Sequence, residues 1–186
     1  VLFDFNGVII DDEPVHNEAW RETLDPIGLT YTDQEYYDDL LGIPDDDFLR
    51  RLLVKRGREM PVEQQRDLLE AKTRLYSDLV RRRPVDLPGL PELVRDLAAH
   101  VPLAIVSGAA RPEIEWHLDR LELADCFVTM LCAGEYSAPK PDPAPYLEGL
   151  RALNSATGKL AVPPQTLVFE DSIHGVNSGR AAGMPV

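Results

Sequence analysis

Apolar and polar positions follow two regimes along the chain. The opening run Val1-Leu2-Phe3-Asp4-Phe5-Asn6-Gly7-Val8-Ile9-Ile10 is apolar and partly β-branched, and Asp11, Asp12 and Glu13 follow it. That pattern predicts a buried parallel strand that carries carboxylates to the carboxyl edge of a sheet. From Pro14 to about Gly28, Val15, Ala19, Trp20, Leu24 and Ile27 predict a helix with Pro14 in its first turn. Between Thr32 and Arg83 charge rises and β-like runs disappear, which predicts amphipathic helices over 33–41, 45–56 and 61–82. Pro84, Pro88, Gly89 and Pro91 then mark a hinge. Beyond it helices at 91–100, 111–121, 143–153 and 173–182 alternate with strands at 102–106, 127–132 and 166–169.

Alternation of this kind predicts an α/β fold, a doubly wound parallel sheet interrupted by an all-helical insertion. The core is expected over 1–13 and 84–186, with the insertion over 14–83. In such a sheet every strand ends on one edge, so Asp4, Asn6, Ser107, Gly108, Glu170 and Asp171 are expected around one ligand. Lys140 joins them from the proline-stiffened loop Ala138-Pro139-Lys140-Pro141-Asp142-Pro143. Each also has a plainer reading: Asp4, Ser107 and Glu170-Asp171 as helix caps, Asn6-Gly7 as a turn, Lys140 as a surface side chain.

Composition narrows the partners. The chain of 186 residues, 44% hydrophobic and 27% charged, suits one ordinary soluble domain with an insertion. A net charge of −13 argues against nucleic acid and gives no reason to expect a membrane surface. Cys126 and Cys132 suit neither a zinc site nor a disulfide framework, so core thiols and a cytoplasmic location are expected. A monomer is expected, and so is continuation past Val186, where an apolar strand begins.

The segments Asp4-Phe5-Asn6-Gly7-Val8, Val106-Ser107-Gly108, Lys140-Pro141-Asp142-Pro143 and Val168-Phe169-Glu170-Asp171-Ser172 stand in this order, each at a strand end or a loop beside one. Together they resemble the four motifs of the haloacid dehalogenase superfamily, in its β-phosphoglucomutase-like and phosphatase branch with a helical cap. The resemblance implies a magnesium-dependent phosphatase of a small phosphorylated metabolite, working through an aspartyl phosphate on Asp4. It implies metal ligands at Asp4, the Asn6 carbonyl, Asp171 and Glu170, phosphoryl contacts from Ser107, Gly108 and Lys140, and a substrate contact from His16. The second Asp of the first motif is Asn6 here. An amide cannot protonate a leaving alkoxide, and acid–base help of that kind is worth about 10²- to 10⁴-fold. Slow deamidation at Asn6-Gly7 is a route back to Asp. A sugar phosphomutase and a weakly catalytic phospho-ligand binder are the alternatives; the acidic run Asp45-Asp46-Asp47 disfavours the mutase, since it would repel a second phosphate. Metal-free dehalogenase chemistry has no use for the Glu170-Asp171 pair.

Overall fold

The computed structural model describes residues 1–83 and 85–186. Pro84, expected at the return hinge and at the edge of the insertion, lies outside the described residues. The chain forms two compact units, Val1–Asp11 with Asp86–Val186, and Asp12–Val85.

The opening run is a strand only over β1, Leu2–Phe3. The ladder ends when the Asp4 N–H donates to Phe169 O at 2.9 Å, and the Ile9 N–H then folds back onto Phe5 O at 2.7 Å. Phe5, Ile9 and Ile10 remain fully buried, so the expected ten-residue strand is a two-residue strand followed by a buried turn.

The second unit is helical. Its first helix, α1 (Glu13–Leu24), has Pro14 in its first turn and buries Val15, Ala19, Trp20 and Leu24. Pro26 cannot donate to an α-helical ladder, and the chain continues as a 3₁₀ turn, Asp25–Ile27, rather than the helix expected to Gly28. The helix expected over 33–41 is a single turn, α2 (Asp33–Glu35), running into a π-helical turn at Tyr36–Leu40. Next come α3 (Asp45–Lys55) and α4 (Val62–Arg82). Trp20 stacks on Phe48, with centroids 4.3 Å apart, at the centre of a cluster that includes Leu24, Tyr31, Tyr36 and Leu52.

The first unit then resumes with α5 (Leu90–Ala98), β2 (Leu103–Val106), α6 (Arg111–Leu121), β3 (Phe127–Leu131), α7 (Ala144–Thr157), β4 (Val168–Phe169) and α8 (Ile173–Ala181). The sheet is parallel throughout, in the order β3-β2-β1-β4, with Phe3 level with Ile105 on one side and Phe169 on the other. Its core joins Leu2, Ala104, Val106 and Val168 to Tyr146, Leu150 and Leu153 of α7. Among the described residues, no helix is long and apolar enough to cross a membrane. Both cysteines are free thiols, and burial pushes Cys132 up to about 11.

Candidate active site

The register sets the site. With Phe3 beside Ile105 and Phe169, the next residues of the three strands, Asp4, Val106 and Glu170, end together at one edge. Asp4, Glu170 and Asp171 each offer a carboxylate oxygen within 4.8 Å of the others. Lys140 reaches into this group from the loop after β3. Its Nζ donates to Val106 O at 3.0 Å and to Glu170 Oε1 at 2.6 Å, and lies 2.9 Å from Asp4 Oδ1. That last contact is an ion pair outside hydrogen-bond alignment, and the buried Asp4 Oδ1 has no hydrogen-bond partner.

The other residues are placed by the backbone around this group. Gly7 has φ +74, and a β-carbon there would stand 2.1 Å from Asp171 Oδ2, so only glycine allows the turn to pass this carboxylate. Asn6 lies in that turn, bridged to Ile10. Ser107 follows β2, buried; its Oγ accepts from the Ala109 N–H at 3.1 Å. Among the described residues, neither the Ser107 hydroxyl proton nor the Gly108 N–H has a protein acceptor. The cap of α8 is Ser172, which accepts from the Gly175 N–H, not Glu170 or Asp171.

Glu170 is fully engaged. Oε1 accepts from Lys140 and, at 2.6 Å, from Tyr146 Oη, while Oε2 accepts from the Ser172 N–H and Oγ. Tyr146 is a site residue that the sequence pattern hides, because an aromatic on the inner face of α7 reads as core.

Charge is unbalanced here. Burial raises the Asp4 carboxyl, Lys140 pulls it back down, and Glu170 raises it again; the net shift is upward. Asp171 is pushed up to about 6, first by burial and then by Asp4 and Glu170. Burial also works against the charge on Glu170, but Lys140, Tyr146 and the Ser172 amide hold it below the usual carboxylate range. Lys140 loses to burial and gains more from Asp4 and Glu170, so it stays charged. Three carboxylates against one ammonium leave room for a divalent cation. The Asp4 oxygen without a hydrogen bond and the exposed Asp171 carboxylate are the hard oxygen donors that magnesium prefers.

His16 belongs to the helical unit. Its Nδ1 lies 2.7 Å from Lys72 Nζ, its Nε2 lies 3.2 Å from Asp12 Oδ2, and its ring stacks on Tyr76. Lys72, 1% exposed, also donates to both oxygens of Asp45 at 2.8 Å. The structure therefore gives His16 a charged network within its own unit.

The whole chain, residues 1–186, matches the family described as haloacid dehalogenase-like hydrolase. The chain belongs to that family. Among characterised proteins, this hydrolase is 30% identical over 186 residues to a phosphorylated carbohydrates phosphatase of Thermotoga maritima, covering 99% of this chain and 81% of that one. It is 29% identical to the fructose-1-phosphate phosphatase YqaB of Escherichia coli, covering 99% and 92%. Among solved structures, a β-phosphoglucomutase of Clostridium difficile is similar with a TM-score of 0.81 and 26% identity, over 98% of this hydrolase and 80% of that chain.

Proposed function

We propose that this hydrolase is a magnesium-dependent phosphatase of a small phosphorylated metabolite, a sugar phosphate or a chemically similar ester. The observation that carries the reading is the convergence of Asp4, Lys140, Glu170 and Asp171 on one strand edge, with Asp4 Oδ1 held only by a poorly aligned ion pair to Lys140. Asp4 attacks phosphorus: a bond forms between its carboxylate oxygen and phosphorus, and the ester P–O bond breaks. The leaving oxygen takes its proton from solvent because Asn6 cannot supply one, and water later hydrolyses the aspartyl phosphate to phosphate and the free Asp4 carboxylate. Lys140 and the Ser107 hydroxyl balance charge on the phosphoryl oxygens. Asp4, Asp171 and the Asn6 carbonyl would hold magnesium, and Glu170 fixes Lys140 beside them. When bound, the metal supplies charge neutralisation of the phosphoryl group. The acidic run Asp45-Asp46-Asp47 supports a phosphatase over a mutase, because it would repel a second phosphate.

Phosphate release from a panel of esters, with and without magnesium, tests the reading. Asp4→Asn abolishes release, since an amide is no nucleophile here. Asn6→Asp restores a proton donor and raises turnover of alkyl phosphates by ten-fold or more, but changes aryl phosphates little, because their leaving groups need no proton. Release indifferent to both magnesium and Asp4 rules the phosphatase out.

A further inference from the structure

Beside the site, in the loop between β3 and α7, stands a tyrosine with no role in the scheme above. Tyr136 is half-buried. A β-carbon built on Gly108 would lie 3.7 Å from its hydroxyl oxygen, so this oxygen sits over the backbone that follows Ser107. The hydroxyl makes no hydrogen bond to any described residue, although the fields of Lys140 and Asp4 both reach it. Its oxygen stands beside the Gly108 backbone, where the Gly108 N–H and the Ser107 hydroxyl also lack protein acceptors among the described residues, so an acceptor placed there would meet three donors.

Which ligand atoms these are follows from the strand order. The sheet runs β3-β2-β1-β4, so Asp171 lies beyond β4 at one end of the edge. Tyr136 and Gly108 belong to the loops after β3 and β2, on the other side of Asp4. A phosphoryl group in front of Asp4 would turn some oxygens toward the Asp171 side and the rest toward Gly108. Three donors on the Gly108 side, the Ser107 O–H, the Gly108 N–H and the Tyr136 O–H, have no acceptor among the described residues.

We propose that the Tyr136 hydroxyl is a further phosphate-binding donor, holding a non-bridging oxygen of a phosphate monoester dianion on the side of the site opposite Asp171. The inference rests on the phosphatase reading and extends it to a residue outside the motifs. A tyrosine suits the task. Burial first, and the Asp4 charge against the pull of Lys140, raise the phenol above its ordinary range, so near neutral pH it stays protonated and can offer a hydrogen bond without adding negative charge.

Tyr136→Phe removes one oxygen and keeps the ring. Calorimetric titration of inorganic phosphate into the magnesium-loaded protein reads the outcome, with Ser107→Ala as the reference. Loss of one hydrogen bond to a charged acceptor weakens phosphate binding by about ten-fold or more, with an unchanged thermal midpoint and a matching rise in KM for a phosphate ester. If Ser107→Ala weakens phosphate and Tyr136→Phe stays within two-fold of wild type, Tyr136 is packing only and the inference is overturned while the phosphatase reading stands. If the wild-type protein binds no phosphate, both fall together.

Discussion

Gly7 and Asp171 share a space that no β-carbon can enter. Replacing Gly7 with alanine adds the left-handed backbone cost of roughly 1–2 kcal/mol, and it also drives a carbon to 2.1 Å from Asp171 Oδ2. Gly28 has nearly the same φ, +68, with nothing within 4 Å of an added carbon. Gly7→Ala should therefore lose magnesium affinity by ten-fold or more in a calorimetric titration, whereas Gly28→Ala should lose only stability. Equal metal affinity in the two variants would separate Gly7 from the site. At this scale, the strand-end places of Asp4, Glu170 and Asp171 and the proline-stiffened loop of Lys140 were legible, but each alone fitted a helix cap or a surface side chain equally well, and only the order of the four motifs joined them. Tyr146 and Tyr136 were not. The first has the burial of a core aromatic and differs only in where its hydroxyl points. The second sits in a loop with no period to read.

Elements were legible in order and kind more than in extent. Helix α6 falls on 111–121 as the spacing predicts. The opening strand is far shorter, because an apolar run is equally satisfied by a buried turn, and burial alone does not distinguish the two. Helix α7 continues to Thr157 through residues that look like loop, until Gly158 at φ +66 ends it. At α2 a Thr32–Glu35 capping box starts the helix, yet the Leu41 N–H bonds to Tyr36 O, five residues back, at 2.8 Å. Periodicity does not resolve a π turn from an α one. Glu35 ties this turn to Arg56 and Lys55. Arg56, then the Thr32 amide and Lys55, hold its carboxyl far below the usual range. A depressed carboxylate stabilises the fold above its unfolded pKa and loses that contribution as pH falls through the folded one. The thermal midpoint of Glu35→Gln should accordingly lie below wild type at neutral pH, and the gap should narrow progressively below about pH 4.5. A gap that is constant with pH would show that the ion pairs contribute nothing.

For the whole molecule, the composition shift over residues 32–83 made the helical insertion visible, and the strand alternation after it made the sheet visible. The contacts that gather the site arise from register, which no single segment encodes. Excess negative charge is concentrated there by Asp4, Glu170 and Asp171, so magnesium should stabilise the fold. At a hundred times its dissociation constant a ligand adds about 2.7 kcal/mol, which for a chain of this size raises the midpoint by several degrees. Calorimetric scans with magnesium and with chelator should differ accordingly, and Asp171→Asn should remove most of the difference; a shift that survives this variant places the ion elsewhere. Lys140 carries a last consequence. Its ammonium has three protons and three oxygen neighbours, two aligned and held by strand and helix, the third the poorly aligned Asp4. An arriving anion that claims one of those protons displaces the weakest partner first. In the proposed reaction the attacking oxygen is thus restrained until its target arrives, and the cation that guards it would then become the grip on that target.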